Sequence, residues 1–122
     1  MQKDYDIIRA VLIYSAGLPK GKQRFTLNSI RPRIFPEFDE YKLLDHVWYL
    51  IDSGYLEGEK TNEYDATILA PTKKGERFAE LALDENIWQQ TMAKARRVAS
   101  VPLDVLEESL KKRLIVFLSS DD

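Results

Sequence analysis

The stretch from Asp39 to Gly58 constrains the fold more than any other. Asp39 is a suitable helix N-cap, and Leu43, Leu44, Val47, Leu50 and Ile51 then recur at the 3.6-residue period of one helix face, which Tyr41 and Trp48 widen. Gly54 stops that helix abruptly and permits the positive φ that a reversal needs, with the apolar pair Tyr55-Leu56 immediately behind it. The chain must therefore turn straight out of a helix into extended structure. Two arms follow, Tyr55 to Gly58 and Ala66 to Leu69, with Lys60-Thr61-Asn62-Glu63 as the polar tip of a hairpin. The outer face of the helix is expected to carry Lys42, Asp45, His46, Tyr49, Asp52 and Ser53.

The flanking segments extend the pattern. Residues 4–16 form an amphipathic helix capped by Asp4, with Ile7, Ile8, Val11 and Leu12 inward, and Gly17 ends it. Residues 17–24 read as a mobile Gly, Pro and Lys loop, and Phe25 to Leu27 as a short strand. Pro32 and Pro36 each push their predecessor away from helical geometry, so residues 29–38 are expected to be extended or broken, pinned by Ile30, Ile34, Phe35 and Phe38. Thr72 caps a helix running to about Leu83 that buries Phe78, Leu81 and Ala82. Asp84 caps another with Trp88, Thr91, Met92, Ala95 and Val98 inward. A last helix starts between Ser100 and Leu103, with Pro102 in its first turn.

The predicted class is α+β: helix, short strand, helix and β-hairpin wing, followed by C-terminal helices. At 122 residues the chain is expected to be one domain, with residues 1–83 as a winged-helix-like core and 84–122 as a helical extension. Residues 43–58 resemble the second helix and first wing strand of many bacterial winged-helix regulators. A closer resemblance runs along nearly the whole chain. Met1-Gln2-Lys3-Asp4-Tyr5-Asp6-Ile7-Ile8-Arg9 is similar to the N-terminal signature of the small bacterial and phage proteins grouped as domain of unknown function family 2513. Asp45-His46-Val47 through Gly54-Tyr55-Leu56 is similar to its central segment, with Asp45 in place of a tyrosine. Thr72-Lys73-Lys74-Gly75-Glu76-Arg77-Phe78 is similar to a third segment, with Pro71 for a leucine and Glu76 for a histidine. Residues 18–38 depart from the pattern, being longer and richer in proline. The resemblance implies a winged-helix-like fold and a phage or prophage origin; it brings no activity and no site residues.

Composition narrows the chemistry. The chain has no cysteine and one histidine, which excludes disulfides, thiolate metal sites and most His-dependent catalysis. It has no glycine-rich phosphate loop and no pair of carboxylates placed as an acid/base dyad, so no enzyme, metal or cofactor is expected. The apolar runs are far shorter than the roughly 20 residues a membrane span requires, and the N-terminus lacks an apolar signal region; no membrane association and a cytoplasmic location are expected.

Charge is uneven. Residues 1–36 carry seven basic and two acidic side chains, whereas residues 37–65 carry nine acidic and two basic. The candidate nucleic-acid contacts are Lys20, Lys22, Arg24, Arg31 and Arg33, with Lys42 and Lys60. The acidic outer face of the 39–53 helix disfavours major-groove reading, because Asp45 and Asp52 would be repelled by phosphate. The absence of a helix before it points the same way. The expected function is a regulator that meets DNA through its basic loop and wing; the alternative is an accessory factor that docks on a host protein. Lys94, Arg96, Arg97, Lys111, Lys112 and Arg113 form two further basic clusters suited to helix ends. Leu103, Leu106, Leu110, Leu114 and Phe117 form an apolar stripe, broadened by Val105, Ile115, Val116 and Leu118, from which a homodimer is expected.

Overall fold

The computed structural model describes residues 1–120. Asp4 opens the first helix, α1 (Tyr5–Gly17), its carboxylate accepting from the N–H groups of Asp6 and Ile7. Leu18 to Arg24 form the connection, in which Gly21 adopts φ 85° and Lys22 N–H bonds the Pro19 carbonyl. Strand β1 (Phe25–Thr26) leads directly into α2 (Leu27–Ile34). Then come α3 (Glu40–Asp52), β2 (Leu56–Asn62), β3 (Asp65–Pro71), α4 (Lys73–Leu81), α5 (Glu85–Ala95) and α6 (Leu103–Leu118). The described residues thus form an α+β fold of six helices and one three-stranded antiparallel sheet, ordered β1-β3-β2. Phe25 pairs with Ile68 and Thr26 with Thr67, while Leu56 faces Pro71 and Asn62 faces Asp65. This order is consistent with the winged-helix plan, with β2 and β3 as the wing.

The expected broken segment is instead the helix α2. Leu27, Ile30 and Ile34 are spaced three and four apart, and Leu27 and Ile30 are buried. Pro32 removes a single backbone donor from this eight-residue helix. Thr26 makes no side-chain cap, and the free N-terminus is satisfied from outside: Asn28 N–H donates to Asp65 Oδ1 at 3.0 Å, and the Asn28 amide donates to the Tyr64 carbonyl at 3.0 Å. The base of the wing therefore supplies the cap that the local sequence lacks. A helix does precede α3, and the expectation that it was missing is corrected.

Other boundaries shift as well. The hairpin arms are longer than expected and turn at Glu63-Tyr64, which puts Lys60 on β2 rather than at the tip. Helix α4 ends at Leu81, which is half-buried, and α5 ends at Ala95, leaving Val98 exposed beyond it. Pro102 is the N-cap of α6 rather than part of its first turn.

One apolar cluster joins all these elements. Ile8, Leu12, Leu43, Val47, Leu50, Ile68, Phe78, Trp88, Met92, Leu106 and Leu110 are buried within it. The C-terminal helices share the core of residues 1–83 rather than standing apart. Trp88 is fully buried and donates from Nε1 to Asp6 Oδ1 at 3.1 Å. Arg9 reaches from α1 across the indole ring to the Ala82 and Leu83 carbonyls and to Glu85. Tyr5 clamps the connection before α6, its hydroxyl accepting from Val101 N–H at 2.7 Å and donating to the Val101 carbonyl at 3.1 Å.

Two glycines mark the turn out of α3 and its cover. Gly54 has φ 81°, as an abrupt reversal requires. Gly75 lies where α4 crosses the end of α3: a Cβ there would sit 2.1 Å from the Tyr55 carbonyl oxygen. Thr72 fastens the same junction, its hydroxyl accepting from Gly75 N–H and donating to the Gly54 carbonyl.

Candidate functional site

In a winged helix the exposed side of the second helix of the α2–α3 pair and the wing beside it form the usual contact surface. On α3 the exposed residues are Glu40, Tyr41, Lys42, Asp45 and Asp52. Trp48 and Tyr49 are half-buried at its edge, with Trp48 Nε1 donating to the Asp65 carbonyl at 3.3 Å. On the wing Glu57, Glu59, Lys60 and Glu63 are exposed, and Tyr64 is 66% exposed at the tip. Carboxylates therefore dominate the exposed residues of both elements, with Glu57 and Glu59 on the side of β2 away from α3, because Gly58 between them backs onto Ile51.

The few cations of this face are already engaged. Lys42 Nζ lies 3.3 Å from Asp4 Oδ2, and Lys60 Nζ lies 3.6 Å from Asp52 Oδ2 and 5.2 Å from the centre of the Trp48 ring. Arg31 on α2 pairs with Glu40 at 3.3 Å. Three of the seven candidate nucleic-acid residues thus lie within intramolecular ion pairs. Burial alone would raise the Asp4 carboxyl; the Lys42 ammonium and the N–H groups of Ile7 and Asp6 outweigh it and hold the group below its ordinary 3.8.

His46 does not lie on this face. It is fully buried, with Nε2 accepting from Asp4 N–H at 2.7 Å and Nδ1 donating to the Lys42 carbonyl at 2.6 Å. Both ring nitrogens are consumed in fastening the start of α1 to α3, so the outward placement expected from helical periodicity is corrected. Nothing local to α3 signals this, because the partner lies 42 positions away.

The other four candidates lie elsewhere. Lys20, Lys22, Arg24 and Arg33 are exposed and, among the described residues, make no ion pair. Tyr14 stands between Phe25 and Phe35, with ring centres 5.4 Å and 5.6 Å away. Arg24 is adjacent to Phe25 of that cluster, and Arg33 lies two residues before Phe35. The wing tip meets the N-terminal end of α2, where Asn28 bonds Tyr64 and Asp65; Arg24 precedes that end and Arg33 lies in the last turn.

A family model described as "Hypothetical protein (DUF2513)" matches residues 2–102. The chain belongs to this family. Within DUF2513 the matched span takes in α1 through α5 and stops just short of α6. No curated protein and no solved structure matches. Among the described residues no cluster of His, Asp or Glu is suited to hold a metal ion, and no helix is long and apolar enough to cross a membrane.

The C-terminal stripe divides in two. Leu103, Leu106 and Leu110 are buried against the rest of the chain, which removes them from the expected dimer contact. Leu114 is half-buried, and Phe117 is 64% exposed. Of the other basic clusters, Arg96 pairs with Asp6 at 3.0 Å.

Proposed function

We propose that this chain is a non-enzymatic accessory module, of the kind phages direct at a host protein, that docks on a basic protein surface through α3 and the wing. The observation that supports it is the charge of that face: Glu40, Asp45, Asp52 and Glu63 lie where a DNA-binding winged helix meets phosphate, and Glu57 and Glu59 add negative charge on the outer side of the wing. Each carboxylate would be repelled by a duplex and would lose its hydration without compensation. The same charges suit Lys- and Arg-rich protein surfaces and would steer their approach. Tyr41 and Tyr64, 62% and 66% exposed, add the aromatic anchors from which interface hot spots are commonly built.

The test is capture of partners from nuclease-treated bacterial lysate, comparing the native chain with Asp45→Lys/Glu59→Lys/Glu63→Lys. These three residues are exposed and make no ion pair among the described residues, so the fold should tolerate the change. A basic protein retained after nuclease and lost with the triple variant is the expected result. A set of captured proteins unaffected by the triple variant overturns it.

One observation favours a second reading: the exposed cations Lys20, Lys22, Arg24 and Arg33, which make no ion pair among the described residues. Non-specific contact with a DNA backbone through them would be weak and salt-sensitive. Charge reversal at these four positions, followed by fluorescence anisotropy with a short labelled duplex, tests it. Loss of duplex binding supports this reading and its persistence refutes it.

A further inference from the structure

Helix α6 outruns the surface that covers it. The stripe Leu103, Leu106, Leu110 is buried, Leu114 is half-buried, and Phe117, next on the same stripe, is 64% exposed. Around it Ile115, Val116 and Leu118 are 53%, 70% and 72% exposed. Residues 114–118 therefore form a helical arm that is apolar on every side and covered on part of one. It shows water on the order of 500 Å² of apolar side chain, a size at which a surface patch commonly has a role.

The same chain carries an apolar groove of about 240 Å³ between α1 and α4. Ile13 and Ala16 form one wall and Ala79 and Leu83 the other, with Leu83 62% exposed. Glu76 and Glu80 run along the α4 rim, exposed and outside every ion pair among the described residues. On the arm, Lys111 and Lys112 stand one turn before Ile115 and Val116 and are likewise exposed and unpaired among the described residues. The arm carries its cations one turn before its apolar surface, and the groove carries its anions along one rim beside its apolar lining, so the two are complementary in sign.

We propose that the groove of each copy receives the α6 arm of a second copy, exchanged reciprocally in a two-fold dimer. The arm and the groove are both left open within one chain, and their charges are complementary. Two exchanged arms and two grooves together bury on the order of 1,000 Å², the lower bound for a specific interface. The α3 and wing residues take no part, so the dimer stands or falls independently of the docking function.

Light scattering at high micromolar concentration should give twice the 14.2 kDa chain mass. Phe117→Glu and Lys111→Glu/Lys112→Glu should each give the monomer, and adding Glu76→Lys/Glu80→Lys to the latter should restore the dimer. All these positions are exposed, and circular dichroism checks that the variants fold. Because the chain has no cysteine, single variants give an unambiguous cross-link. Glu80→Cys mixed with Val116→Cys under mild oxidation should yield a covalent heterodimer. A native monomer, a dimer indifferent to Glu76 and Glu80, or efficient cross-linking of Val116→Cys with itself alone would each overturn the proposal, the last by placing arm against arm.

Discussion

Replacing glycine with alanine inside a helix normally stabilises it by up to about 1 kcal/mol, because alanine has less backbone freedom to lose. Gly75→Ala should do the opposite. The new methyl would lie 2.1 Å from the Tyr55 carbonyl oxygen and 3.1 Å from its carbon, both backbone atoms that no rotamer change can move. Relief requires α4 to lift from the end of α3. Overpacking of that kind costs about 1–3 kcal/mol. The shift also strains Thr72 N–H to Tyr55 O, a 3.1 Å bond worth about 1 kcal/mol. Set against the helix gain, the net expectation is a loss of about 1–3 kcal/mol. Gly17→Ala is the control: it ends α1 with nothing within 4 Å of a built Cβ and no positive φ, and it should be neutral or stabilising by up to about 1 kcal/mol. Urea unfolding of both variants, with unchanged m-values, measures the pair. If Gly75→Ala proves as stable as the native chain, the contact between α4 and the Tyr55 carbonyl is not a close one and the argument fails.

His46→Leu keeps the bulk of the side chain but leaves Asp4 N–H without an acceptor, so a loss of about 1–3 kcal/mol is expected in the same assay; a neutral result would mean that water replaces the ring. Asp4 has its carboxyl lowered, so its contribution to stability is present above its ordinary 3.8 and is lost as pH falls through the lower folded value. Asp4→Asn should accordingly flatten the acid limb of a melting-temperature profile, and an unchanged limb would refute the role of the Lys42 pair. Burial, with Glu107, Tyr49 and Asp104 nearby, pushes the Tyr55 hydroxyl up to about 12 from 10.0. Stability from Tyr55 is therefore present below pH 10.0 and drains away toward pH 12, and Tyr55→Phe should be the more alkali-resistant protein by circular dichroism.

The elements that were legible in the sequence are those whose stabilisation is local. Asp39 caps α3, Thr72 caps α4 and Asp84 caps α5 by bonds to the next turn, and each follows from residue type and spacing. Helix α2 was not legible because its cap, Asp65, lies 37 residues downstream and its proline argues against it locally. His46 failed for the same reason: helical periodicity places it outward, and only the arrival of Asp4 makes the buried position satisfiable. The acidic character of the α3 and wing face could be read directly from the charge pattern. That Lys42, Lys60 and Arg31 are consumed by neighbouring carboxylates could not, since such pairs depend on which elements the fold brings together.

The bonds that tie α1 to the far end of the chain bear on how the molecule comes off the ribosome. Tyr5 waits for Val101, 96 residues later, Asp6 for Trp88 and Arg96, and Arg9 for Ala82. The first helix to be synthesised is therefore among the last to be completed. Until α5 emerges, a nascent chain lacks the Trp88 indole beneath Arg9 and the Glu85 carboxylate that pairs with its guanidinium. A chain lacking its last third is therefore expected to hold α1 loosely and to be cut there faster by protease than the whole chain. A chain stopped after the wing would keep the His46 and Lys42 ties between the start of α1 and α3 but lack the bonds to Ala82, Trp88, Arg96 and Val101.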